Sequence, residues 1–502
     1  MQSVDEKEII RILNDIELNF DVNSLKYKEL YAWPVIRLEL YNHLKKSPRK
    51  NTGNRTPLSR LRKHYADLFW LLRKRFRHRG KRSRPFSARF ILYGLSSHRS
   101  ELINEKFFNR CTESIGYLLH GYGKCFYMES FAYDGDVEKP GRADVFNADE
   151  FLEKELFRNL LFSFPSLRQK TINRYPEFID FLSSKLIVFD FPEEACAEKT
   201  ELIYRYSEAF EKLFSEIRPE HLFTDIYYSE KNMAAIFAAG KLKIKSIEIQ
   251  HGVHGNTHFA YVKWLNVPPE GYQLLPDYFW VWDRNSLRNL EKWNASLSKH
   301  KPILGGNPYL CFIRNNRSLC SFPQSLKESI NKSSKMILIT LNNMPGYDKL
   351  IFSNVVINTI RKSGSEILWI IRLHPHFPEV EDWLKTEFGY PFPENILVHQ
   401  SSRVNLYLLL EKANLHVTLD STVAMEALSF NVPSVVLTKN GYECFYDFIS
   451  RDYIEYITSP DALLKKIAQP AGKILDDDEK IIADCTYMKS QIEKLCGLNK
   501  PL

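Results

Sequence analysis

The sequence predicts two doubly wound α/β domains facing each other across a cleft, with a helical, basic N-terminal extension. Three observations predict it. Short apolar, β-branched runs alternate with amphipathic helical patterns from residue 88 onward, which is the signature of parallel sheets wrapped by helices. The alternation pauses at the turn-rich stretch Gly305-Gly306-Asn307-Pro308 and then resumes, so there are two such units. The chain has 502 residues and is 44% hydrophobic, enough for two to three domains with cores of their own.

The elements follow in order. Residues 1–87 read as a helical region: a stripe over Glu8–Leu18, a second helix over LKYKELYAWPVIRLELYNHLKK with Pro34 at its start or at a kink, a polar loop at 46–57, and a basic amphipathic helix over 58–79. Residues 88–300 form the first α/β domain, with strands at 88–95, 125–128, 186–191, 221–226, 245–250 and 278–282, and helices at 102–119, 148–162, 198–216 and 229–241. Residues 301–470 form the second, with strands at 336–341, 367–373, 395–399, 415–419, 432–437 and 452–457. Residues 471–502 supply a C-terminal helix that is expected to cross back onto the first domain.

Composition narrows the function. The net charge is +8, yet the stretch 45–84 holds sixteen Lys and Arg against the single acid Asp67, leaving the rest of the chain acidic. A basic amphipathic helix carrying Phe69 and Trp70 suits an anionic membrane surface. No groove-reading or base-stacking module accompanies the charge, so nucleic acid is not the expected partner. The N-terminus lacks a basic start followed by an apolar core, and no apolar run is long enough to span a bilayer, so the expected place is the cytoplasm, peripheral to the inner face of the membrane. The eight cysteines are scattered without C-x-x-C spacing and are expected as free thiols, with neither a disulfide framework nor a metal site.

Polar residues collect where strands end. In the second domain these are the loop 341–346 with Asn342, then Arg372, His374 and Pro375, and then Asp420-Ser421-Thr422 opening a helix that contains Glu426. Arginine, histidine and hydroxyls beside a helix start suit a phosphate. The first domain offers Ser97 after its first strand, Asp225 in HLFTDIYYSEKN, and Gln250, His251 and His254 after the next strand. A carboxylate and an imidazole on adjacent strand ends suit a general base, an acid or a nucleophile. Asp277 and Asp283 read as loop or capping residues, and no D-x-D motif has the apolar flanks of a metal-bound diphosphate site.

The ordered set IEIQHGVHG (247–255), LPDYFWVWD (275–283), ILGGNPY (303–309), ILITLNN (337–343), RLHP (372–375) and LDSTVAMEAL (419–428) resembles bacterial surface-polysaccharide glycosyltransferases of the GT-B type, nearest the β-Kdo transferases of capsule and O-antigen synthesis. The resemblance covers about 220–440. It implies two Rossmann-like domains and a nucleotide-sugar donor, best a CMP-linked ulosonic acid such as Kdo. It further implies that His374, Pro375, Ser421 and Thr422 hold the CMP phosphate and ribose, with Glu426 at the ribose, Arg372 at the donor carboxylate, and Asp225 as nucleophile beside His251. No cofactor or metal is expected, and the acceptor is expected to be an oligosaccharide or a lipid-linked glycan. The alternatives are a UDP-, GDP- or TDP-sugar or CDP-glycerol donor on the same fold, a UDP-sugar 2-epimerase-like enzyme, or a non-catalytic nucleotide-sugar binder.

Overall fold

Seventeen short strands carry the fold in the computed structural model, which describes residues 6–45, 85–130 and 141–498 apart from 143, 163–169, 190, 256–257, 295–296, 343, 345, 375–378, 399–403 and 477–483. The basic segment 58–79 lies outside the described residues. Strands β1 (Lys26–Tyr27) and β2 (Leu30–Tyr31) form a small hairpin where the sequence predicts helix, and the helix that follows, Trp33–Lys45, takes Pro34 in its first turn.

The first sheet contains β3 (Phe90–Leu95), β6 (Cys125–Ser130), β7 (Phe146–Asn147), β8 (His221–Thr224), β9 (Lys245–Ile249), β10 (Tyr278–Val281) and β11 (Lys301–Leu304). All its pairs are parallel, in the spatial order β11-β10-β9-β8-β3-β6-β7. Between β3 and β6 lies a hairpin, β4 (Arg99–Ile103) and β5 (Lys106–Asn109), where the sequence predicts the front of a helix; the helix itself is Thr112–Leu118. Residues 186–189 and 191 do not form the strand predicted over 186–191. Leu186 and Val188 point to solvent, 92% and 75% exposed, and the sheet edge is taken by β7.

The second sheet contains β12 (Lys335–Thr340), β13 (Ile367–Arg372), β14 (Ile396–Leu397), β15 (Leu415–Thr418), β16 (Ser434–Val436) and β17 (Ile454–Tyr456), all parallel, in the order β14-β13-β12-β15-β16-β17. The central strands are apolar almost throughout because helices cover both faces: Ile337, Leu338, Ile339, Ile370 and Ile371 are all buried.

Counted in chain order, each sheet starts in the middle, winds outward to one edge, and then returns to wind the other way. This is doubly wound topology, with a switch point between β3 and β8 in the first sheet and between β12 and β15 in the second. The C-terminal helix Cys485–Cys496 leaves the second domain and packs Met488, Ile492 and Leu495 against Ile115, Leu118 and Tyr122 of the first. Two Rossmann-like domains with this returning helix make the GT-B architecture that the sequence predicts. The N-terminal helices Glu6–Asn19 and Trp33–Lys45 share the core of the first domain, joined to it by a buried Arg37–Glu17 pair at 3.0 Å in which Glu17 also accepts from Trp33 and from the Leu265 N–H.

One cysteine expectation is corrected. Cys485 at the start of the returning helix is bonded to Cys311 in the helix Pro308–Asn315, while the other six cysteines are free thiols.

Candidate functional site

A cavity of about 720 Å³ lies between the two domains. That is within the range of a site for a drug-sized ligand. Its walls come from the carboxyl ends of both sheets, where helix N-termini and loop side chains converge and ligands bind in folds of this kind.

The second-domain wall contains Thr340, Asn342, Arg372, His374, Asp420, Ser421 and Thr422. The switch point there is bridged by side chains, since Asn342 donates to Asp420 at 3.1 Å and Asn440 donates to its other oxygen at 2.7 Å. The helix Val423–Leu428 begins at Thr422 without a side-chain cap from that residue; Ser421 Oγ instead accepts from the Val423 N–H at 3.4 Å. Asp348, near the same loop, is pushed up to about 6 by partial burial and the Asp420 charge. Pro375 lies outside the described residues.

The opposite wall contains Leu95, Ser97, His98, Cys111, Gln250, His251 and Gly252. Here the switch point places the β3 loop against the end of β8. Asp225 Oδ2 accepts from the Leu95 N–H at 2.7 Å and stands 2.6 Å from His98 Nδ1. Gly94 makes room for it: a Cβ there would lie 3.0 Å from that oxygen and 2.6 Å from Thr112 Cγ2. Asp225 is fully buried and does not reach the cavity surface, because His98 covers it. The helix after it is capped by Ser229, so Asp225 is not a capping residue.

The two histidines of this wall, His98 and His251, are shifted in opposite directions. Burial disfavours a charged His98 ring, but Cys111 and the Asp225 carboxylate outweigh it and hold His98 well above the ordinary histidine value. Burial, helped by the charge of His98, pushes His251 down to about 4, so it is neutral at pH 7. Their ring centroids are 5.5 Å apart, and His251 Nε2 meets the Tyr228 hydroxyl at 3.2 Å. Gln250 is committed to structure, donating to the Gly252 carbonyl at 2.8 Å and accepting from the Trp282 N–H at 2.6 Å. His254 does not join the cavity. It is buried behind it, stacked on Tyr261 at 3.6 Å, and burial holds it far below the ordinary value.

Two further expected ligand residues are held by the opposite domain. Arg372 pairs with Glu101 of β4 at 3.2 Å, and Glu426 pairs with Arg110 at 2.6 Å. Sequence reasoning placed His98 in the polar loop 96–100 after the first strand but gave it no role, and it missed Glu101, Arg110 and Cys111. These three lie on or beside the β4–β5 hairpin, and Arg110 and Cys111 fell in a segment read as helix.

No family model matches the chain, and no curated protein matches it. Solved structures of similar fold include the UDP-GlcNAc 2-epimerase from Methanocaldococcus jannaschii, at 13% identity and a TM-score of 0.48 over 81% of this chain and 98% of that one. They also include the wall teichoic acid polymerase TagF, at 14% and 0.43 over 88% and 98%, and the spinosyn rhamnosyltransferase SpnG, at 12% and 0.37 over 82% and 95%. The likeness is one of fold.

Proposed function

We propose that this chain is a glycosyltransferase of bacterial surface-polysaccharide synthesis that moves a sugar from a nucleotide donor, first choice a CMP-linked ulosonic acid, to a glycan or lipid-linked acceptor. The observation that carries the proposal is the facing of two switch points across one cavity: hydroxyls, an amide and His374 on the second-domain side, and the His98–Asp225 pair with a neutral His251 on the other. The resemblance of the ordered sequence motifs supports the choice of donor.

In this reading the nucleotide lies against Asn342, His374, Ser421 and Thr422, and the anomeric carbon faces His98 and His251. His251 takes the proton of the acceptor hydroxyl as its oxygen bonds to that carbon. The bond from the carbon to the phosphate oxygen breaks, and its electron pair leaves on the nucleotide phosphate, stabilised by the hydroxyls and by His374. Asp225, covered by His98, acts as a positioning residue for that ring rather than as the nucleophile that the family resemblance implies; direct attack would first require His98 to swing aside. Glu101 and Glu426 yield their arginines when the anionic donor enters, which frees Arg372 and Arg110 for its phosphate or carboxylate.

Among the described residues no helix is long and apolar enough to cross a membrane. The charge of segment 45–84 supports a peripheral attachment to anionic lipid.

The test is a thermal-shift panel of CMP, CDP, UDP, GDP and TDP on the full chain, followed by product analysis with the best donor. CMP is expected to give the largest stabilisation. A shift with UDP alone overturns the donor, and release of an epimerised UDP-sugar without acceptor overturns the transferase reading. Sedimentation with anionic vesicles, with and without residues 45–84, tests the membrane contact; equal binding by both sinks it.

A further inference from the structure

Three metal-ligating atoms meet beneath the cavity wall. His98 Nδ1, Cys111 Sγ and one carboxylate oxygen of Asp225 all lie within 4.8 Å of one another. They come from three separate pieces of chain: the loop after β3, the residue before the helix Thr112–Leu118, and the end of β8.

The arrangement is not a relay. In a thiol–imidazole–carboxylate triad the two ring nitrogens take one partner each. Here both partners address the same nitrogen: Cys111 Sγ is 3.7 Å from His98 Nδ1, and Asp225 Oδ2 is 2.6 Å from it. One ring proton cannot serve both. The second oxygen of the carboxylate, Asp225 Oδ1, is fully buried and accepts no hydrogen bond from any described residue. A carboxylate oxygen is rarely left so in a protein interior without a proton or a cation to meet it.

We infer that His98, Cys111 and Asp225 form a zinc site. Tetrahedral zinc with Zn–S near 2.3 Å and Zn–N or Zn–O near 2.0–2.1 Å separates its ligand atoms by roughly 3.3–3.6 Å. The Nδ1–Sγ separation of 3.7 Å lies just beyond the upper end of that range. Oδ2 is too close to Nδ1 for both to bind one ion, whereas Oδ1 is the oxygen with no other duty. Asp225 would therefore ligate through Oδ1 and keep the Leu95 N–H on Oδ2, which orients the ligand as outer partners do in such sites.

A thiolate, an imidazole and a carboxylate together favour zinc over magnesium or calcium. The fourth position opens toward the cavity, because His98 and Cys111 line it; three protein ligands with an open position is the pattern of a site that receives water or a substrate oxygen. Loading releases the Cys111 thiol proton and any proton on His98 Nδ1, and no redox change is involved. The site does not depend on the glycosyl-transfer reading, and its test reads metal occupancy rather than activity.

The purified full chain is stripped with a chelator, and zinc is titrated by calorimetry and cobalt(II) by absorbance. One metal per chain is expected, with a thiolate-to-cobalt charge-transfer band. Cys111→Ser should abolish the band, and His98→Ala should weaken zinc at least tenfold. Zinc should raise the unfolding temperature of the unaltered chain and leave that of Cys111→Ser unchanged, a comparison internal to each protein and so insensitive to any stability difference between them. The inference fails if the stripped chain takes up no zinc, or if Cys111→Ser binds metal as the unaltered chain does, which would assign it to another thiol such as Cys444.

Discussion

The two oxygens of Asp225 are not equivalent: one accepts from Leu95 and faces His98, and the other accepts nothing among the described residues. Leaving a buried polar atom unpaired costs about 1–3 kcal/mol, so the fold itself does not call for a carboxylate there. Asp225→Asn keeps the shape, removes the buried charge and leaves its oxygen to take the Leu95 N–H. It also takes the carboxylate partner from His98 and puts an unpaired amide N–H where Oδ1 stood, so its melting temperature is expected to fall by a few degrees, while sugar transfer falls by roughly 10²–10⁴-fold and nucleotide affinity stays within about twofold. Initial rates, a nucleotide titration and a melting curve on one preparation decide it; a variant that transfers sugar at the full rate removes Asp225 from the chemistry. Asp225 was legible in the sequence because it closes a strand and the next helix begins later, at Ser229. Its partner was not. His98 lies 127 residues away, and only the strand order that seats β8 beside β3 brings them together.

At the scale of elements, the returning helix Cys485–Cys496 is the piece that fastens the C-terminus to the first domain. Ile492 and Met488 are fully buried, Tyr122 donates to Glu493 at 2.5 Å, and Tyr487 donates to the Leu304 carbonyl at 3.0 Å. Ile492→Ala is expected to cost about 2–5 kcal/mol, the range for truncating a buried aliphatic side chain. Urea unfolding followed by fluorescence checks this, and a loss under about 1 kcal/mol would show that the helix adds little to the first domain. The crossing itself was readable, as an amphipathic stretch with no remaining place in the second sheet. The disulfide was not, because Cys311 and Cys485 are 174 residues apart and nothing in their spacing pairs them. The β4–β5 hairpin was misread for a definite reason. Leu102, Ile103, Phe107 and Phe108 fall near helical spacing, but Asn104 and Glu105 take positive φ and turn the chain, so residues 99–103 alternate between buried and half-buried as a strand does.

Across the whole molecule, most strands follow from apolar periodicity, while the strand order that sets the switch points and the contacts between domains do not, since Arg372–Glu101 and Arg110–Glu426 join residues 271 and 316 positions apart. Each domain also buries a neutral histidine in its framework. His300, in the first domain, donates from Nδ1 to the Pro276 carbonyl and accepts the Tyr272 N–H on Nε2; burial lowers it to about 4. His221 at the start of β8 is likewise lowered to about 4, by burial and then Lys245. His416, between Thr340 and Ser434 in the second sheet, is lowered to about 3 by burial. In the unfolded chain these rings take up protons near pH 6.5. Between pH 6.5 and about 4 the unfolded state therefore binds more protons than the folded one, and stability falls as the pH falls. Each pKa unit is worth about 1.4 kcal/mol at the limit, so three such rings acting together rival the whole stability of an ordinary domain. Asp348 works in the opposite sense: raised to about 6, it penalises the fold as pH rises from 3.8 to 6. Buried Glu129, Glu248 and Asp283 are raised too, and so is His98, but His251, His254 and His258 are lowered beside the three framework rings, so six lowered histidines set the direction. Melting temperatures taken from pH 7.5 down to 4 should drop steeply below pH 6.5, with unfolding of both domains before pH 4 is reached. A flat profile across that window would mean that the rings are already charged in the folded protein.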